Sequence, residues 1–157
     1  MKPIQSWLDE YGESHQNPLN KKIHWVCVPA IMFSIIGLLW SIPHHYMPTL
    51  YDNIQLNWAM IITIIILTFY IKLSLIMALG MFSIAVFILF GNLLVENYFA
   101  TPLWRISLYI FVIAWIGQFI GHKIEGKKPS FFQDLQFLLI GPAWLLSFVY
   151  NKIGIKY

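Results

Sequence analysis

Residues 58–95 form an almost uninterrupted apolar run, which reads WAMIITIIILTFYIKLSLIMALGMFSIAVFILFGNLLV. As a single helix this run would extend roughly 57 Å at 1.5 Å per residue, nearly twice the thickness of the hydrocarbon core of a bilayer. The run is therefore predicted to contain two membrane spans, at about 57–71 and 73–95. Their turn is expected around 70–74, where Lys72 can reach the polar interface.

Three further apolar segments flank this run, at about 23–42, 103–121 and 135–150, and the last is short for a full crossing. Of the 157 residues, 59% are hydrophobic and only 11% are charged. A soluble domain has about a quarter of its residues charged, so this composition argues against a soluble or disordered chain. The prediction is an all-α fold: a polytopic membrane helical bundle of about five membrane helices, with 1–157 as a single domain.

The first segment, 1–19, differs from the rest because acidic residues accompany Trp7, Leu8 and Tyr11. It is too polar to span, and it is typical of an amphipathic helix that lies in the membrane interface. We expect this interfacial helix to end near Asn17. Asn20 is then expected to cap the helix of the first span.

The basic residues are distributed unevenly under this topology. With five spans, seven of the ten Lys and Arg residues fall on the side of the N-terminus: Lys2, Lys21, Lys22, Lys72, Lys123, Lys127 and Lys128. By the positive-inside rule this side is cytoplasmic. We expect an integral, multi-pass protein of a bacterial inner membrane or the endoplasmic reticulum. The net charge of +3 is too weak to indicate a nucleic-acid partner.

The same topology places three of the five histidines at one depth on the cytoplasmic side. His15 and His24 flank the start of the first span, and His122 ends the fourth. Ionisable residues near membrane depth are costly and often belong to functional sites. The three imidazoles are therefore candidates for a common site, whereas His44 and His45 are predicted to be loop residues on the opposite side.

Helical spacing extends this candidate site to neighbouring polar residues. Gln118, His122 and Glu125 are four and three residues apart, so they share a helix face, as do Asn20 and His24. Imidazoles with a nearby carboxylate suit Fe(II), Zn or Mn. The pattern thus indicates a metal site without selecting the metal.

Several alternatives remain open on spacing alone. Glu125 could form an ion pair with Lys123 or Lys128 instead of serving the metal site. The histidines could belong to an iron enzyme or to a different metalloenzyme, such as a zinc-dependent lipid hydrolase. They could also form an interfacial hydrogen-bond network in a non-catalytic lipid-binding protein.

Two polar motifs frame the variable apolar spans. The first consists of Trp7, Tyr11, His15, Asn17-Pro18, Asn20-Lys21, His24 and Pro29, and the second of Gln118, Gly121-His122, Glu125, Pro129 and Gly141-Pro142. Their order and spacing over nearly the whole chain resemble the small membrane family of 2-hydroxy fatty acid dioxygenases known from fungal alpha-oxidation. The resemblance implies an Fe(2+)-dependent enzyme that uses O2 to shorten a 2-hydroxy fatty acid by one carbon.

The resemblance also implies roles for individual residues. His15, His24 and His122 are the implied metal ligands that activity requires. Glu125 is implied as a further ligand, a residue that orients a histidine or a residue that stabilises the loop. Asn20 and Gln118 are expected beside the ligands.

The substrate and membrane lipid are the expected partners, with the acyl tail of the substrate between helices. The residues expected to attract its carboxylate from the interface are lysines at the same end of the spans, namely Lys21, Lys22, Lys123, Lys127 and Lys128.

Overall fold

The computed structural model describes residues 3–51, 54–126 and 137–157, and these contain six helices and one short β-hairpin. The helices are α1 (Ile4–Gly12), α2 (Pro18–Trp40), α3 (Trp58–Leu73), α4 (Leu75–Tyr98), α5 (Leu103–Ile124) and α6 (Ile140–Ile153). Strands β1 (Thr49–Tyr51) and β2 (Ile54–Gln55) pair antiparallel between α2 and α3. The predicted all-helical fold is confirmed.

Among the described helices, α2, α4 and α5 are long and apolar enough to cross a membrane. Their outward surfaces carry large exposed apolar side chains such as Val26, Phe87 and Ile113. Apolar surface of this extent is typical of contact with lipid. Helix α3 is apolar but has only 16 residues, and α6 has 14. The five predicted spans are therefore not confirmed.

The long apolar run divides into α3 and α4 at Ser74, inside the range predicted for the turn. The backbone of Ser74 is extended, and its hydroxyl accepts a hydrogen bond from the N–H of Met77, which caps α4. Thr63 and Ile88 lie on opposite sides of this break, yet both line one cavity. Helices α3 and α4 therefore form an antiparallel pair.

Helices α2 and α5 form a second antiparallel pair, in close contact at both ends. A Cβ added to Gly121 would collide with the side chain of Asn20, and one added to Gly37 would collide with Ser107. Glycine is required at these positions because the neighbouring helix occupies the space of a side chain. This pairing brings the start of α2 to the end of α5.

Helices α1 and α6 pack together near the α3–α4 turn. The apolar face of α1 is buried in a cluster with residues of α6. Tyr70 near the end of α3 donates to the carbonyl oxygen of Leu139, which directly precedes α6. Tyr150 near the end of α6 donates to the carbonyl oxygen of Ile76, at the start of α4. Both ends of α6 thus contact the helical hairpin formed by α3 and α4, near the turn at Ser74. Of the predicted fifth span, 135 and 136 lie outside the described residues.

The predicted cap of α2 is wrong by three residues. Asn17, not Asn20, is the N-cap: its side chain accepts from the N–H groups of Leu19 and Asn20. Pro18 then occupies the first helical position, where its missing N–H is not needed. Helix α2 consequently starts five residues before the predicted span, and the side chain of Asn20 is available for another partner.

Candidate metal centre

The structure brings together the three histidines that were predicted to meet. His15 lies in the loop between α1 and α2, His24 in the second turn of α2, and His122 in the last turn of α5. Their side chains are buried, with exposed fractions of 3%, 1% and 7%. One ligand nitrogen from each ring lies within 4.8 Å of the other two, so the three could hold one metal ion.

Hydrogen bonds to backbone carbonyls fix two of these rings. Nδ1 of His15 lies 2.6 Å from the carbonyl oxygen of Tyr11, and Nδ1 of His24 lies 3.0 Å from that of Asn20. A carbonyl oxygen only accepts, so each Nδ1 carries the proton and donates. Each Nε2 is then a lone-pair acceptor in the neutral ring, the tautomer that binds metals.

These two Nε2 atoms face each other at 2.9 Å. Two lone pairs at this distance repel unless a cation lies between or beside them. Two nitrogens that bind one ion at 2.0–2.1 Å are separated by about 3 Å when they occupy adjacent positions. The observed pair therefore fits a shared metal ion, and His122 supplies a third imidazole to the same point.

Aromatic side chains enclose His15. The ring of Tyr11 stacks on it with centroids 4.1 Å apart and planes 10° apart. The Trp144 ring lies with its centroid 5.3 Å from that of His15. These contacts restrict the orientation of the imidazole and keep bulk water away from it.

Glu125 contacts the loop that carries His15. Its Oε1 accepts from the N–H of Gln16 at 2.7 Å, and its Oε2 accepts from the N–H of Asn17 and from Nδ2 of Asn20, both at 2.9 Å. Partial burial raises the pKa of Glu125, but the hydrogen bonds from Asn20, Asn17 and Gln16 outweigh it and hold the pKa below its ordinary value. Glu125 is not in the group of side chains that converge within 4.8 Å.

Asn20 and Gln118 both lie beside the histidines. Asn20 is fully buried: its backbone carbonyl holds His24, and its side chain holds Glu125. Gln118 lies one turn before His122 on α5 and is buried against the same space.

Gln118, His24 and His122 supply polar groups to a cavity of about 30 Å³. This volume accommodates a molecule of the size of water. The rest of the lining is mostly apolar and aromatic: Tyr11, Val28, Ile31, Met32, Trp115, Phe137, Leu138, Gly141 and Pro142. The cavity therefore offers a few convergent polar groups in an apolar surround, as small-molecule sites do.

Sequence reasoning missed the carbonyl groups that orient the rings. Tyr11 and Asn20 each precede a histidine by four residues. This spacing indicates that the two residues can contact each other within a helix or at its end. No local pattern distinguishes Trp144, which contacts His15, from a tryptophan that anchors a helix at the membrane interface.

The predicted lysines do not line this cavity within the described part of the chain. Lys22 and Lys123 are exposed and Lys21 is half-buried. Lys127 and Lys128 lie outside the described residues. A role for any of the five lysines in attracting a carboxylate stays a prediction.

Comparison with known proteins identifies a family for the chain. A family model described as "Mpo1-like: 2-hydroxy-palmitic acid dioxygenase Mpo1-like" matches residues 1–153. The 2-hydroxy-palmitic acid dioxygenase MPO1 of Saccharomyces cerevisiae is 29% identical over 153 residues, which cover 96% of this chain and 82% of the yeast protein. No solved structure matches the chain. The chain thus belongs to the Mpo1-like family, the family that its two polar motifs predicted.

Proposed function

We propose that the chain is a membrane dioxygenase that depends on Fe(2+) and uses O2 to shorten 2-hydroxy fatty acids by one carbon. The observation that carries this proposal is the buried set of three imidazoles, two of which present facing Nε2 lone pairs 2.9 Å apart. The activity in the name of the yeast relative supports the choice of substrate and reaction.

His15, His24 and His122 would hold the metal through ring nitrogens. A set of three protein ligands leaves positions for a substrate and O2. Fe(2+), when bound, supplies the one-electron chemistry that the reaction of O2 with an organic substrate requires. Zinc suits the same nitrogens but supplies no redox chemistry, which is why the identity of the metal separates this proposal from a lipid hydrolase.

The protein groups around the histidines prepare them for this role. The carbonyl oxygens of Tyr11 and Asn20 hold the protons on Nδ1, so that each Nε2 is free of a proton before a metal arrives. Trp115 and Phe137 line the cavity beside them and exclude bulk water. Gln118 lines the same cavity, where its carboxamide would donate a hydrogen bond to the carboxylate or hydroxyl of the substrate.

The proposed reaction balances without an external reductant. The C1–C2 bond of the 2-hydroxy acid breaks, C1 leaves as CO2, and C2 is oxidised to the carboxyl group of the shortened acid. One O2 is consumed, and one water is formed.

We also propose that the histidine cluster faces the cytoplasm in a multi-pass protein of a bacterial inner membrane or the endoplasmic reticulum. The excess of lysines at this end of the bundle supports that orientation. The proposed spans are α2 to α5; α6, whose two ends both contact α3 and α4 near their turn, is not among them.

The direct test supplies 2-hydroxypalmitate and O2 to the iron-loaded protein in detergent and measures O2 uptake and product mass. We expect one O2 consumed per acid shortened by one carbon. His24→Ala should abolish turnover, whereas His44→Ala, a histidine substitution at the other end of the bundle, should retain it. Conversion of 2-hydroxypalmitate at the same rate without O2 would contradict the proposal.

A further inference from the structure

A second cavity of about 80 Å³ lies among α2, α3, α4 and the start of α6. Its lining is apolar except at Thr63 and Tyr70: Met32, Ile35, Ile36, Thr63, Ile66, Leu67, Tyr70, Met81, Ala85, Ile88, Leu138, Leu139 and Pro142. The Tyr70 hydroxyl already donates to the carbonyl oxygen of Leu139, so it fixes the wall between α3 and α6. This cavity therefore has a defined and almost wholly apolar wall.

The second cavity adjoins the cavity at the histidines. Met32, Leu138 and Pro142 line both. These three side chains form a wall that the two cavities share. Across this wall the cavities define a path, with a polar end at the histidines and an apolar end inside the bundle.

The direction of this path follows from the helices. Along α2, Met32 lies about 12 Å from His24 and Ile36 about 18 Å from it, at 1.5 Å per residue. Because α3 and α4 are antiparallel, Thr63 and Ile88 lie together farther from the α3–α4 turn than Tyr70 and Met81 do. The apolar path therefore runs along the bundle, away from the histidines.

An unfilled apolar cavity is unfavourable because its lining loses dispersion contacts. An occupant of this path must be apolar and narrow enough to lie between helices, and it must carry a polar group at the histidine end. A fatty acyl chain with its carboxyl head has this shape and polarity.

We propose that the second cavity binds part of the acyl chain of the substrate and that Ala85 limits the space available to it. The inference rests on the proposed function because the head group it assumes is that of a 2-hydroxy acid. Ala85 has the smallest side chain in the lining and lies one turn from both Met81 and Ile88. A larger side chain there would obstruct the path without touching the histidines.

The experiment compares Ala85→Leu and Ala85→Phe with Val86→Phe, a control on the neighbouring position, where the side chain is 48% exposed on the outer surface. The readout is the ratio of turnover of 2-hydroxypalmitate to turnover of 2-hydroxydecanoate. We expect this ratio to fall at least tenfold in Ala85→Phe, less in Ala85→Leu, and not at all in the control. An iron content equal to that of the unaltered protein verifies that a variant is folded. If Ala85→Phe binds less iron, the comparison uses Ala85→Leu alone.

A readout independent of turnover uses 2-hydroxypalmitate with a photoreactive diazirine at its tail end, followed by mass spectrometry of labelled peptides. We expect label near Ile36, Thr63 and Ile88, and less of it in Ala85→Phe. Such labelling in a protein that does not consume the acid would retain the acyl site and reject the proposed reaction. Two results would reject the acyl site alone, each with normal turnover. One is an unchanged ratio of 2-hydroxypalmitate to 2-hydroxydecanoate turnover in both Ala85 variants, and the other is label confined to lipid-facing positions.

Discussion

Both oxygens of Glu125 accept hydrogen bonds from the segment between α1 and α2, where the N–H groups lie one and two residues beyond His15. The backbone N–H groups of Gln16 and Asn17 have these oxygens as partners, so the carboxylate holds the loop against the end of α5. Each such hydrogen bond contributes about 0.5–1.5 kcal/mol. We therefore propose that Glu125 positions His15.

Glu125→Ala should weaken metal binding without changing its stoichiometry. Residues that orient metal ligands typically contribute about tenfold to hundredfold in affinity, and we expect a loss in that range. Glu125→Gln should lose less, because its amide oxygen still accepts from the loop. Competition with a chelator measures the affinities.

Glu96→Gln removes a carboxylate at the opposite end of the bundle, where Glu96 accepts from Trp40, and is the control. It should leave the metal affinity unchanged. Loss of all bound metal in Glu125→Gln would mean that Glu125 is itself a ligand.

The sequence was sufficient to predict which histidines meet, because span lengths and parity place His15, His24 and His122 on one side. It was not sufficient to assign Glu125. The spacing from His122 identifies a shared helix face, but Glu125 lies just beyond the last turn of α5, and its partners belong to a loop that no periodicity describes.

At the scale of elements, the centre depends on the close approach of α2 and α5 at Gly121. A Cβ at this position would meet the side-chain oxygen of Asn20 and approach the ring of His24 to 3.5 Å. Any side chain at 121 must therefore displace the side chain of Asn20, which holds Glu125, or move α2 and with it His24.

Gly121→Ala tests this packing. Alanine has a higher helix propensity than glycine by about 1 kcal/mol, which alone would stabilise α5. Overpacking costs about 1–3 kcal/mol, so we expect a net loss of thermal stability in detergent together with weaker metal retention. Ile120→Ala, at the adjacent exposed position, should retain the metal.

The same substitution should cost less in an Asn20→Ala background, because the colliding side chain is then absent. A double-mutant cycle measures this coupling. Additive effects of the two substitutions would refute the contact between Gly121 and Asn20 as the cause.

Helix ends were predicted less well than helices. The break between α3 and α4 was predicted from the length of the apolar run, because one helix of 38 residues is too long for the bilayer. The start of α2 was misplaced although Asn17 before Pro18 is a typical cap with proline at the first position. The fifth span was predicted from apolar composition alone. Composition does not distinguish a helix that crosses the membrane from a helix such as α6, whose two ends contact the same turn between α3 and α4.

At the scale of the whole molecule, the antiparallel pairs place the starts of α2 and α4 and the ends of α3 and α5 at the histidine end. Cys27 is the single cysteine in the chain, so Cys27→Ser gives a background for single-cysteine labelling. With an impermeant thiol reagent, cysteines at Lys22 and Lys72 should react from the cytoplasmic side. A cysteine at Tyr98, which is exposed at the far end of α4, should react from the opposite side.

Labelling of positions 22 and 72 from opposite sides would contradict the hairpin of α3 and α4 in the membrane. Labelling of both from the outer side would retain the fold and invert the proposed orientation.

The most direct test of the account is the metal content of protein purified without oxygen. We predict one iron per chain in the unaltered protein and in His44→Ala, and no stoichiometric metal in His24→Ala or His122→Ala. Full metal occupancy in those two variants, or no bound metal in the unaltered protein, would contradict the assignment of the three buried histidines as an iron centre.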